Sequence, residues 1–421
     1  MAHVSPLKKT AKRFAGDERG NFALLTAVGG VMMMTAVGLS VDVSRALTAQ
    51  THLSNAVDAA VLSTTRLVTL GKMTEEEAKK EVQKFLFANF DSQRYGVDPT
   101  ITQVTIDSAA RTMRVAAHID LPTAFIGIAG VKTQKVNWTS EAAFSNQKIE
   151  VAMALDITGS MGDKIASSGE IKLDALKDAA TGAVDTLTSG PAAKNRVRIG
   201  LVPYARTVDA APVISRVSTT GSGSCVYERT GLNAHNDTFA NGSNPVGSTD
   251  KKCAGSEIMP LTNDRAKLNA HINSFSDDGC TAGHIAIAWA HYMLSPNWNG
   301  AWDKASEAAS YGDTNTRKYA VIMTDGIFNT HKTAGDNCTG DTISPSSASD
   351  ALALCGEMRD RGIKVYTIAF AAPSGAAQLM RSCATPDTVD AQHYFNASDG
   401  DELDAAFQAI AKDIQSLRLT G

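Results

Sequence analysis

No cysteine precedes position 225 in this chain of 421 residues, and no charge interrupts residues 22–41. The six cysteines, Cys225, Cys253, Cys280, Cys338, Cys355 and Cys383, include no Cys-x-x-Cys pair, and the nine histidines are scattered. The spacing that marks a zinc site is therefore missing. A basic excess is missing too. The formal net charge is −4, so no nucleic-acid partner is expected. The hydrophobic fraction of 43% and charged fraction of 20% are ordinary for a globular protein, and the length allows two or three domains.

What is present begins with the uncharged stretch itself, "FALLTAVGGVMMMTAVGLSV". At ~1.5 Å per residue it reaches roughly 30 Å, the thickness of a bilayer's hydrocarbon core. Lys8, Lys9, Lys12, Arg13 and Arg19 precede it, whereas Asp42 and Arg45 follow. The positive-inside tendency places residues 1–21 in the cytoplasm and the chain after Asp42 outside. The run exceeds the core of a signal peptide, about 7–15 residues, and no A-x-A site follows. A retained single span over 22–41 is expected, continuing as one long helix. An even cysteine count in an exported chain favours disulfides.

Residues 42–148 read as a small α+β stalk. "TEEEAKKEVQKFLFANF" opens with a threonine and three glutamates, as a helix start does. The period then changes to two, giving a hairpin and a further strand. From 149 to 421 apolar strands alternate with helices, which predicts a doubly wound α/β domain with a buried, mostly parallel sheet. A Ser-, Gly- and Asn-rich insert at 212–260 interrupts it. Cys225 and Cys253 bracket much of the insert, and a bridge closing about 29 residues stabilises by roughly 3–4 kcal/mol. Cys355 lies on a predicted helix and Cys383 ends the next, so they pair. That leaves Cys280 with Cys338.

The strand "IEVAMALD" ends in Asp156, followed by Thr158 and Ser160 on alternate positions. Three chemistries compete. "DITGS" resembles the phosphorylation loop of haloacid-dehalogenase-like phosphatases, but Ile157 and Thr158 stand where those sites use lysine or a second aspartate, and no downstream acidic pair for magnesium follows. A strand-to-helix turn also favours Asp, Thr and Ser as caps. A metal site needs oxygen ligands from other loops, and Thr281 before a helix and Asp325 at the end of "VIMTD" supply them. His284 reads as a surface residue at a helix N-terminus.

Two resemblances add to this. Arg19, Gly20, Asn21, Gly38, Leu39, Val41, Asp42, Ser44, Arg45, Leu53, Asn55, Asp58, Ala59 and Ala60 follow a pattern that resembles the N-terminal segment of TadE/TadG-like Flp pilus-assembly proteins. Asp156, Thr158, Ser160, Thr281 and Asp325, in that order, resemble the metal-ion-dependent adhesion site of von Willebrand factor A domains, with Thr158 where serine is usual. The resemblances imply Mg2+ (or Mn2+/Ca2+) as cofactor, a protein ligand offering a carboxylate, and other pilus-assembly components as partners. They further imply a non-enzymatic component of the bacterial inner membrane, its N-terminus cytoplasmic and its main domain periplasmic. A structural scaffold with a vestigial metal site is the alternative.

Overall fold

The computed structural model describes residues 19–69, 72–107, 110–143, 147–189, 193–218, 223–240, 245–247, 249–250, 253, 256–332, 335–336 and 342–416. The chain divides into two compact units, residues 1–66 with 75–144, and residues 67–74 with 145–421.

The first unit contains α1 (Arg19–Thr69), α2 (Glu75–Asn89) and the antiparallel strands β1 (Thr100–Asp107), β2 (Thr112–Pro122) and β3 (Thr133–Ala143). Helix α1 runs 51 residues without a break, and its N-terminal part is long and apolar enough to cross a membrane. Leu24, Val31, Met34 and Val37 all face outward there. From Ala46 one stripe turns inward instead: Ala46, Ala49, Leu53, Ala56, Val57 and Ala60 are buried, at the three- and four-residue spacing of one helix face. Strand β2 answers with period two, burying Met113, Val115, Ala117, Ile119 and Leu121. Trp138 of β3 donates to Asp58 of α1 at 3.2 Å, and the Thr65 hydroxyl meets the Met113 sulfur at 3.8 Å.

Two residues of the N-terminal pattern gain a physical reason here. The Asp42 carboxylate accepts the backbone N–H groups of Ala124, Phe125 and Ile126 at 2.8, 2.8 and 2.7 Å. These bonds, that of Ile126 foremost, hold its carboxyl below the usual range. One turn earlier, a Cβ on Gly38 would come within 2.7 Å of the Phe125 Cβ. Glycine lets the β2–β3 loop close onto the helix.

The second unit is a six-stranded sheet with helices on both faces. Its strands are β4 (Lys148–Asp156), β5 (Val197–Tyr204), β6 (Met259–Thr262), β7 (Thr316–Thr324), β8 (Lys364–Phe370) and β9 (Tyr394–Ala397). They lie in the order β9-β8-β7-β4-β5-β6, all parallel except the edge strand β6. This is the expected doubly wound order, in which the chain starts at the centre and works outward to each side. Both faces are covered, so the strands are apolar throughout. Val151, Met153 and Leu155 point to one face, under α3 (Lys172–Leu187), α4 (Arg265–Asn273) and α8 (Gly400–Ser416). Ala152, Ala154 and Val202 point to the other, under α5 (Gly283–Leu294), α6 (Pro345–Asp360) and α7 (Ser374–Cys383).

Strand β6 lies partly within the stretch read as insert. Two strands of the insert, Cys225–Val226 and Thr249–Asp250, form a small antiparallel sheet with Val208–Asp209, which precedes it. Cys225 is bonded to Cys253 and Cys355 to Cys383. Cys280 is disulfide-bonded, and Cys338, its expected partner, lies outside the described residues.

Candidate metal-binding site

Strands β4 and β7 are neighbours, and the chain leaves them toward opposite faces, into α3 and α6. A crevice therefore opens at their carboxyl ends. Asp156 ends β4, and Asp325 follows β7 directly. The turn after β4 starts when Asp156 Oδ1 accepts the Thr158 N–H at 2.9 Å, an aspartate turn that stops the strand. Gly159 then donates to the Gly279 carbonyl at 2.9 Å and Asp278 to that of Ile157 at 3.0 Å. Thr281 N–H donates to Asn329 Oδ1 at 3.2 Å, and Thr330 N–H to the Thr281 carbonyl at 3.3 Å. Three loops are thus laced together.

The five expected residues meet in this crevice. Ser160 Oγ donates to Asp325 Oδ1 at 2.7 Å, and Thr158 Oγ1 lies 3.2 Å from Ser160 Oγ. A Cβ on Gly326 would stand 3.2 Å from Thr281 Oγ1 and 3.6 Å from Ser160 Oγ, so both hydroxyls border the space that glycine leaves open. Asp156 is wholly buried. Its Oδ2 accepts the Thr324 hydroxyl at 2.7 Å, and the Tyr204 hydroxyl lies 3.3 Å away. Lys172 Nζ sits 2.9 Å from Asp325 Oδ2, whose side chain has no exposure.

The electrostatics are those of crowded negative charge. Burial, then the Asp325 charge, pushes the Asp156 carboxyl well above the usual carboxylate range, against the Thr158 and Thr324 hydrogen bonds. Burial and Asp156 push the Tyr204 phenol up as well, so it stays a neutral donor. Lys172 balances one of the two carboxylates. Carboxylate and hydroxyl oxygens with charge left to neutralise form the donor set of a hard divalent cation. The residues present fit such an ion.

Sequence reasoning missed Lys172, Thr324 and Tyr204. Thr324 and Tyr204 end apolar strands beside the one that Asp156 ends, which is the signal that could have found them. Lys172 carries no such signal. His284 departs from the surface position expected of it. It is 1% exposed, because α5 buries its whole first turn against Phe328, Glu228 and Ser347.

A comparison with curated protein sequences returned no match. Among solved structures, the von Willebrand factor domain of the type V pili tip protein Mfa5 from Porphyromonas gingivalis is 13% identical. The likeness covers 65% of this chain and 96% of that one, with a TM-score of 0.40. The PilB minor pilin from Streptococcus sanguinis is 13% identical over 76% of this chain and 79% of its own, TM-score 0.39. The adhesive tip pilin GBS104 from Group B Streptococcus agalactiae is 14% identical over 64% and 100%, TM-score 0.40. Over residues 20–66, the helix that carries Gly38, Asp42 and Asp58, the chain matches the model of the Flp pilus-assembly TadE/G-like family.

Proposed function

We propose that this chain is a membrane-anchored, periplasm-facing component of a Flp/Tad-type pilus assembly or secretion machinery that binds a protein partner through a divalent cation. The convergence of Asp156, Thr158, Ser160, Thr281 and Asp325 from three loops carries this reading. These residues would hold Mg2+, Mn2+ or Ca2+. Because several donors are neutral hydroxyls, the bound ion keeps positive charge and attracts a carboxylate of the partner. Both Asp156 oxygens are engaged and its side chain is out of reach of solvent, which suits a group that holds rather than one that attacks. The chain is accordingly read as a binding protein, not an enzyme. The TadE/G-like match and the apolar part of α1 support the machinery and the anchor. The basic residues before Phe22 support a cytoplasmic N-terminus.

The Lys172–Asp325 ion pair favours a second reading, a scaffold of the same machinery in which the lysine replaces the cation. Complementation separates the two. In cells lacking this chain, the wild type should restore pili and Asp156→Ala at equal protein level should not. Full restoration by Asp156→Ala would leave the scaffold.

A further inference from the structure

Three histidines far apart in sequence meet outside that site. His284 lies in the first turn of α5, His331 follows β7, and His235 comes from the insert. The rings of His284 and His331 stack with centroids 5.2 Å apart. Asp350 of α6 stands 3.0 Å from His331 Nε2 and 2.7 Å from His235 Nε2. Glu228 of the insert lies 3.3 Å from His331 Nδ1 and 3.7 Å from His284 Nε2. His284, His331 and Asp350 each offer a donor atom within 4.8 Å of the other two.

A buried ring nitrogen in this cluster lacks a hydrogen bond. His284 Nδ1 lies 2.6 Å from Ser347 Oγ, but its Nε2, fully buried, makes no hydrogen bond. The 3.7 Å to Glu228 is too long for one. With Nδ1 on Ser347, Nε2 is buried toward the Glu228 carboxylate without a hydrogen bond, which is costly. A cavity of about 10 Å³ lined by Glu228, His284 and Asp350 adjoins it, room for a single ion rather than an organic ligand. Arg229 donates to the Thr238 carbonyl at 2.7 Å, and its guanidinium lies 5.8 Å from the Trp298 ring centroid.

We propose that His284, His331 and Asp350 bind a zinc-class transition-metal ion that ties the loop after β7 to α5 and α6, with Glu228 and His235 of the insert packed around it. Two imidazoles and one carboxylate are the three protein ligands of an open zinc site, with water in the fourth position. Ser347 behind His284 and His235 behind Asp350 are the outer partners that orient such ligands. Thr330, which donates to the Thr281 carbonyl, is joined directly to His331, so the bound ion also steadies the loop carrying Thr281.

Full-length protein in detergent, stripped with a chelator and then dialysed against equimolar zinc in excess magnesium, tests this by metal analysis and by protease cleavage within the insert. The wild type should keep one zinc per chain, and zinc should slow the cleavage. Asp350→Asn and His331→Gln should each weaken zinc binding by about tenfold or more, with folding checked by circular dichroism. Asp156→Ala should keep its zinc. A wild type that retains none, zinc that survives both substitutions combined, or zinc lost on Asp156→Ala would each overturn the proposal.

Discussion

Lys172 opens α3, where the positive end of the helix dipole disfavours a cation. Its ion pair with Asp325 offsets that penalty. In the proposed account Lys172 competes with the divalent ion for Asp325. Lys172→Ala should therefore enlarge the rise in melting temperature that magnesium produces, and a smaller rise would show that the lysine helps to hold the ion. At the opposite end of the sheet, Glu150 of β4 pairs with Arg198 and, at 2.5 Å, with Lys318, both its own and the lysine's side chain buried. Glu150→Ala strands that ammonium and should cost about 3–5 kcal/mol in denaturant unfolding. A cost below about 1 kcal/mol, the level of a surface pair, would contradict this. His291 sets a pH dependence. Burial, against Asp237, lowers its pKa from 6.5 to about 4, so between those values the unfolded chain takes up a proton that the native one does not. Stability should be undiminished above pH 6.5 and fall toward pH 4, by on the order of 3 kcal/mol from this residue. His291→Gln should flatten that limb of the unfolding profile, and an unchanged slope would rule the histidine out.

Among the elements, α1 is the most heavily constrained, since one helix serves two environments. Its outward apolar half is legible as an uncharged run, and its inward stripe as a three-and-four periodicity. The contact of Gly38 and Asp42 with the β2–β3 loop is not legible, because the partners lie more than 80 residues away. Gly38→Ala should push Phe125 aside and lower the melting point of the full-length protein, at a cost of about 1–3 kcal/mol. Phe125→Gly added to it, which removes the clashing Cβ, should recover part of that loss, because the two residues share one contact. Additive losses would show that Gly38 matters for another reason. The long parallel strands were legible from their apolar runs. Strand β6, four residues at the antiparallel edge, was not, and neither were the two-residue strands in and just before the insert, which are too short to carry a period.

Across the whole molecule, the site's chain-local part was readable because 156, 158 and 160 alternate after an apolar strand. Thr281 and Asp325 needed the family pattern to be chosen. The histidine cluster stayed hidden because His235, His284 and His331 are drawn together from the insert, helix α5 and the loop after β7, with no spacing in the sequence to announce it. Orientation is a separate expectation at this scale. A reporter active only outside the cytoplasm, fused after Lys72, should be active, and a reporter active only in the cytoplasm should be silent there.

The most direct test of the central claim is thermal melting of the full-length protein in detergent with and without millimolar magnesium. An ion that binds only the native state stabilises by roughly 2.7 kcal/mol at a hundredfold excess over its dissociation constant, which appears as a rise in the melting temperature. The account predicts that rise in the wild type, a smaller one in Ser160→Ala, and none in Asp156→Ala, whose metal-free melt stays cooperative. Superimposable wild-type curves with and without magnesium would contradict it.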